Sequence, residues 1–180
     1  MGCSGSLLAD PGRVDDVARM VLDRSFPHSL HEDILDAVGF SWRAETQARP
    51  ARDPEFRATI LRIYEQRCAA CGFDGRLGRT SLGLEAAHVK WFAAGGPDTP
   101  ANGLCLCSLH HRALDLGAIG IDDDLRLVVS EHVAGGEQVE AAIVALRGQP
   151  LRAPLDGWPR PEREFVAWHR SEVFRAPARR

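Results

Sequence analysis

Leu84-Glu85-Ala86-Ala87-His88-Val89-Lys90-Trp91, followed by Gly95-Gly96-Pro97-Asp98, Asn102-Gly103-Leu104 and Leu106-Cys107-Ser108-Leu109-His110-His111, is the stretch whose reading decides the fold. Leu82 to Val89 reads as a strand and Trp91 to Ala101 as a loop around Gly95-Gly96-Pro97. A helix follows from about Cys107 to Leu116. Two sets of metal-type residues interleave here. Cys68-x-x-Cys71 and Cys107-x-x-His110 form one; His88, Asn102, His111 and Asp115 form the other.

The first set reads as a closed zinc knuckle. Two cysteines two residues apart bind one tetrahedral ion from a tight turn, and Cys107 and His110 at a helix start reach the same ion. A thioredoxin-like reading of Cys68-x-x-Cys71 lacks the surrounding strand–helix–strand context. Cys105 competes with Cys107 as a ligand. Helix spacing favours Cys107, and Cys105 then reads as a small buried hydrophobe.

The second set shares the helix but not the face. His111 and Asp115 lie four apart and so side by side. They are rotated about 100° from the Cys107–His110 pair. One short helix can therefore serve two sites.

Working outward, helices are expected from Pro11 to Arg24, after Asp10 as cap, and over a Ser29-x-x-Glu32 capping box ending at Gly39. A linker is expected from Ser41 to Arg52. A third helix spans Asp53 to Arg67, with Phe56, Ile60, Ile63 and Tyr64 as a core stripe. Beyond Gly117, Ile119 and Ile121 face Leu125, Leu127 and Val129 across Asp122-Asp123-Asp124, a hairpin. Helices over 137–147 and 161–174 close the chain. His28, His31, His132 and His169 are assigned packing or surface roles.

The 180 residues suit one domain with a small helical arm, divided here as 1–52 (arm and linker) and 53–180 (zinc-stapled domain with C-terminal helices). The net charge of −3 argues against coating nucleic acid through bulk charge. Arginine nevertheless outnumbers acid between Arg160 and Arg180, and acids dominate between Asp10 and Asp36, so a local basic face is possible. No apolar run is long enough to cross a bilayer, and the start lacks the pattern of a secretory signal. The expected compartment is a reducing cytoplasm, where cysteines favour metal over disulfides. Met1-Gly2-Cys3-Ser4-Gly5-Ser6 fits a loose myristoylation pattern of the kind that arises by accident.

The order His88, Asn102, His111, with these intervals, resembles the HNH endonucleases and their strand–loop–strand–helix, or ββα-metal, unit. Within that family the chain is similar to the modification-dependent restriction endonucleases that cut phosphorothioated DNA. That similarity extends over Phe26-Pro27-His28-Ser29-Leu30-His31-Glu32-Asp33-Ile34-Leu35, Cys71-Gly72-Phe73-Asp74, Gly148-Gln149-Pro150-Leu151-Arg152 and Trp168-His169-Arg170-Ser171-Glu172-Val173-Phe174. Those enzymes carry a sulfur-recognition domain upstream, for which about fifty residues before Asp53 leave too little chain.

The resemblance implies an α+β fold: a ββα-metal core with a zinc knuckle, flanked by N-terminal helices and a C-terminal hairpin plus helices. It implies a restriction-like DNA endonuclease that hydrolyses phosphodiester bonds, with His88 as general base and Asn102 holding the loop. His111, with Asp115, would bind one catalytic Mg2+ or Mn2+, while Zn2+ stays structural. The expected partner is DNA, modified DNA included, and two-strand cutting by a one-site subunit favours a homodimer. Many relatives carry a metal ligand directly before the base. Ala87 stands there instead, and Glu85, on the same strand face, could reach the ion. The competing reading is a non-catalytic zinc module that binds DNA or protein, which would not need His88, His111 and Asp115.

Overall fold

The computed structural model describes residues 11–39 and 54–180. The expected linker over 41–52, Cys3 with the rest of the N-terminus, and the cap residues Asp10 and Asp53 lie outside them, as do the side chains of the Ser29–Glu32 capping box. The described residues combine helices with three small two-stranded antiparallel sheets. No described helix is long and apolar enough to cross a membrane.

The helices are α1 (Pro11–Ser25), α2 (His31–Ala37), α3 (Pro54–Ile63), α4 (Ser108–Asp115), α5 (Glu137–Ala142) and α6 (Arg163–Glu172). The strands are β1 (Arg76–Leu77), β2 (Thr80–Ser81), β3 (Leu84–His88), β4 (Gly103–Cys107), β5 (Ile119–Ile121) and β6 (Leu127–Val129). The centre is the β3–β4 hairpin, in register from Leu84↔Cys107 to His88↔Gly103. Strand side chains alternate between faces. One face of β3, through His88, meets Phe56 of α3; the other, through Glu85, meets Ser108 and His111 of α4. The hairpin is therefore covered on both sides, and Leu84, Ala86, Ala87, Leu104, Cys105 and Leu106 are all buried.

The stripe read on α3 is core. Phe56, Ile60, Ile63 and Tyr64 are buried, and removing each such side chain from water stabilises by roughly 1.5–3 kcal/mol. Gly103 is where α3 and the hairpin touch: a Cβ there would come within 2.3 Å of Ile60 Cδ1. The helix ends at Ile63, short of the expected Arg67, because Glu65 and Gln66 turn into the left-handed region at φ 55° and 52°.

The C-terminal elements hold α4 from behind. The hairpin β5–β6 forms, with its turn tied by Asp122 Oδ1, which accepts from Asp124 N at 3.0 Å and Arg126 N at 2.8 Å. The second strand starts at Leu127, not Leu125, because Leu125 takes φ 57° to complete the turn. His169 Nε2 donates to Leu114 O at 3.0 Å and fastens α6 to the end of α4. Gly117 passes so close to α6 that a Cβ would lie 2.1 Å from Val173 O. The helix expected over 137–147 divides into α5 and a 3-10 turn at Val144–Leu146. The β1–β2 hairpin, two residues per strand, had no sequence signal.

The N-terminal helices pack on the same centre. A 3-10 turn, His28–Leu30, lies against α4, and α1 covers the turn Phe92–Ala94 after β3. Leu22, Leu30 and Leu35 are buried there.

Candidate active site and metal centre

Cys68, Cys71, Cys107 and His110 converge, with one donor atom from each within 4.8 Å of the others. His110 Nδ1 lies 3.1 Å from Cys107 Sγ and 3.7 Å from Cys68 Sγ. The donor set and its compactness fit tetrahedral Zn2+, for which Zn–S is about 2.3 Å. His110 Nε2 donates to Ala142 O at 2.9 Å, so the tautomer that leaves Nδ1 for an ion is the one held. Cys105, two residues before Cys107 on β4, is buried and pushed up to about 12, first by burial and then by the Cys68 charge. It stays out of the donor set, as the helix spacing predicts.

The cluster is polarised even without an ion. The hydrogen bond from Cys107 holds the Cys68 thiol down at about 3, against burial and with help from His110. Cys107 is raised by that same contact, and Cys71 chiefly by burial. Burial works against a charged His110, but its bond to Cys68 and donation to Ala142 O outweigh this and raise it above 6.5. An ion bound there would displace the protons that the cluster carries.

The other set divides into two groups on opposite faces of β3. On the α4 face, His111 Nδ1 donates to Glu85 Oε2 at 2.5 Å, and His111 Nε2 lies 3.4 Å from Asp115 Oδ2. Glu85 also accepts from Ser108 Oγ at 3.1 Å. The two carboxylates occupy opposite nitrogens of one ring. They differ in exposure: the Glu85 side chain is 42% exposed, that of Asp115 2%. Asp115 thus backs the ring from inside, and Glu85 meets it from the solvent side.

On the α3 face, His88 Nε2 donates to Asp98 Oδ1 at 2.6 Å. The ring stacks on Phe56, centroids 4.5 Å apart and planes 18° apart, and Phe92 flanks it at 6.1 Å. Asn102 is fully buried and contacts neither ring in this way. Its Oδ1 accepts from Lys90 N at 2.8 Å, and its Nδ2 donates to Lys90 O at 2.9 Å and Pro97 O at 3.1 Å. That closes the loop carrying Asp98. Gly96 fits beneath it only without a side chain, since a Cβ would lie 1.9 Å from Lys90 O.

Asp98 and Phe56 were missed as partners of His88. Asp98 sits in the quoted Gly-Gly-Pro-Asp run, and an acid ten residues after a strand histidine was the available signal. Glu85 was legible from strand parity.

The HNH endonuclease family model HNH_2 matches residues 68–122, which hold every residue of both sets. Among solved structures, the modification dependent TagI restriction endonuclease is similar at 27% identity and a TM-score of 0.50, over 72% of this chain and 41% of that one. The chain therefore spans about two-fifths of the length of that enzyme. No curated protein matches it. Residues 68–122 thus match the HNH endonuclease family, and over 72% of its length the chain is similar to a modification-dependent restriction endonuclease.

Proposed function

We propose that the chain is a DNA endonuclease of the HNH type, with a ββα-metal centre made by β3, β4 and α4. The observation that carries this reading is the run Glu85–His111–Asp115, an imidazole backed by a buried carboxylate and fronted by an accessible one. A module that only binds DNA or protein has no use for that arrangement beside an already complete zinc cluster.

In this reading His88 is the general base. Asp98 holds Nε2–H and Phe56 fixes the ring plane, and the other ring nitrogen would take the proton from water. Asn102 acts through the loop, by keeping Asp98 in reach. His111 and Glu85 would hold the catalytic divalent ion, Mg2+ or Mn2+, for which an imidazole and a carboxylate with water are suitable donors. Bound there, it would supply charge stabilisation to the phosphate and leaving oxygen. Asp115, expected from its spacing to ligate the same ion, we assign instead to orienting His111 from the buried nitrogen. Glu85 and His88 are three strand residues apart, about 10 Å along β3, and because they sit on opposite faces the scissile strand would have to pass the His88 end of β3 to meet both. The DNA substrate, any preference for modified DNA, the structural role of Zn2+, and a dimer for two-strand cutting belong to this proposal, as does the division at residue 52.

Nicking of supercoiled plasmid with Mg2+ or Mn2+ tests it. Wild type should cut, and both His88→Ala and Glu85→Gln should lose about 10²-fold or more. Full activity in either variant would refute the shared site.

A further inference from the structure

We infer that Asp23, His28 and His31 form a second metal site, for a divalent transition ion of the zinc class, which pins the corner between α1 and α2. His28 and His31 were expected to have packing or surface roles. Instead one donor atom from each of the three residues lies within 4.8 Å of the other two.

The local sequence brings them together. Asp23 sits in the last turn of α1, and Phe26-Pro27 turns the chain with Pro27 extended at φ −63°, ψ 147°. His28 and His31 follow three apart across the 3-10 turn, a spacing that places side chains one above the other. Their ring centroids are 4.4 Å apart. His31 Nδ1 is the common vertex, 3.1 Å from His28 Nδ1 and 3.8 Å from Asp23 Oδ1. His28 Nε2 lies 3.7 Å from the same oxygen. A tetrahedral ion with bonds of about 2.0–2.1 Å needs donors about 3.3 Å apart, and the contacts that His31 Nδ1 makes with His28 Nδ1 and Asp23 Oδ1, 3.1 and 3.8 Å, lie on either side of that spacing.

The hydrogen-bond pattern supplies the second argument. His31 Nε2 donates to Phe26 O at 3.0 Å. That is the backbone contact that orients metal-bound histidines, and it leaves Nδ1 of the neutral ring as the acceptor. That nitrogen faces His28 Nδ1 at 3.1 Å, and two imidazole nitrogens that face each other need either a proton on one or a cation between them. The side chains of Asp23, His28 and His31 are 32%, 34% and 12% exposed, sheltered yet reachable. Three protein donors leave a fourth position for water. Because the turn bearing His28 packs on α4, and α1 on the Phe92–Ala94 turn, the ion would fix the arm against the helix of His110 and His111.

The full chain, with its Cys68–His110 cluster loaded, is titrated with Zn2+ by calorimetry and its metal content measured after desalting. His28→Ala/His31→Ala should bind one equivalent fewer than wild type. His31→Ala alone should weaken that event by on the order of 100-fold. The Glu85–His111 site is intact in all these proteins, so the difference is independent of whether it also takes zinc. Equal stoichiometry in wild type and double variant would overturn the proposal. Should the variants lose their fold by circular dichroism, the wild-type imidazole NMR signals decide: shifts of His28 and His31 on adding Zn2+ support the site, and unmoved signals overturn it.

Discussion

His88 and Asp98 meet at 2.6 Å, although one ends a strand and the other belongs to a loop ten residues on. The contact selects which imidazole nitrogen carries the proton. Asp98→Asn could still touch Nε2, but as an amide it can donate there and favour the wrong tautomer. We expect kcat to fall about 10- to 100-fold with KM nearly unchanged, less than the loss of about 10²–10⁴ in His88→Ala. Single-turnover cleavage at saturating DNA separates the two, and an Asp98→Asn enzyme with wild-type kcat would remove Asp98 from base positioning.

The loop itself depends on Asn102, whose side chain makes three hydrogen bonds while fully buried. Asn102→Ala removes all three and strands Lys90 N among them, a loss of about 2–4 kcal/mol at roughly 1 kcal/mol per bond with a further desolvation cost. Urea unfolding reads this directly. Gly96→Ala should damage the same loop from the other side, through collision with Lys90 O. If both variants unfold at the wild-type midpoint, the loop is not held as described.

What the sequence disclosed follows from where each interaction lives. The convergence of Cys68, Cys71, Cys107 and His110 was legible because a tetrahedral donor set is written in short spacings, two residues in a turn and three on a helix. The hairpin β5–β6 and the stripe of α3 were legible from periodicity. The pairing of His88 with Asp98 was not, because it depends on how Asn102 folds the loop back, and that is tertiary. Asp115 was placed correctly beside His111 by helix spacing, yet spacing cannot say which ring nitrogen it faces. The Asp23–His28–His31 cluster was hidden for a similar reason: the turn at Pro27, rather than any regular period, sets its geometry.

Zinc should be a condition of folding for the central hairpin. The Cys68–His110 cluster joins the turn after α3 to the start of α4, and structural sites of this kind contribute about 10–16 kcal/mol of apparent folding free energy. Cys68→Ser should lose the tightly held ion and much of the cooperative thermal transition. Cys105→Ala should keep the ion, since its thiol is outside the donor set. Metal analysis by mass spectrometry of the purified proteins distinguishes them, and retention of zinc in Cys68→Ser would refute the assignment.

The last prediction concerns acid. His169 is buried, its Nε2 donates to Leu114 O, and its Nδ1 has no hydrogen-bond partner among the described residues. Burial lowers it below its ordinary value of 6.5, against the smaller pulls of Leu114 O and Asp115. The native chain therefore keeps this ring neutral where the unfolded chain would protonate it. The stabilisation is complete above 6.5, and it is lost progressively as pH falls from there toward the depressed native value, because unfolding takes up a proton in that window. His169→Gln can preserve the donation to Leu114 O but cannot titrate. Denaturant unfolding from pH 8 down to pH 5 should show wild type losing stability more steeply below 6.5 than the variant. Since α6 clamps the end of α4 through this residue, the same decline should appear in protection of the Leu114 region from hydrogen exchange. Parallel pH profiles for the two proteins would mean that His169 carries its proton into the fold.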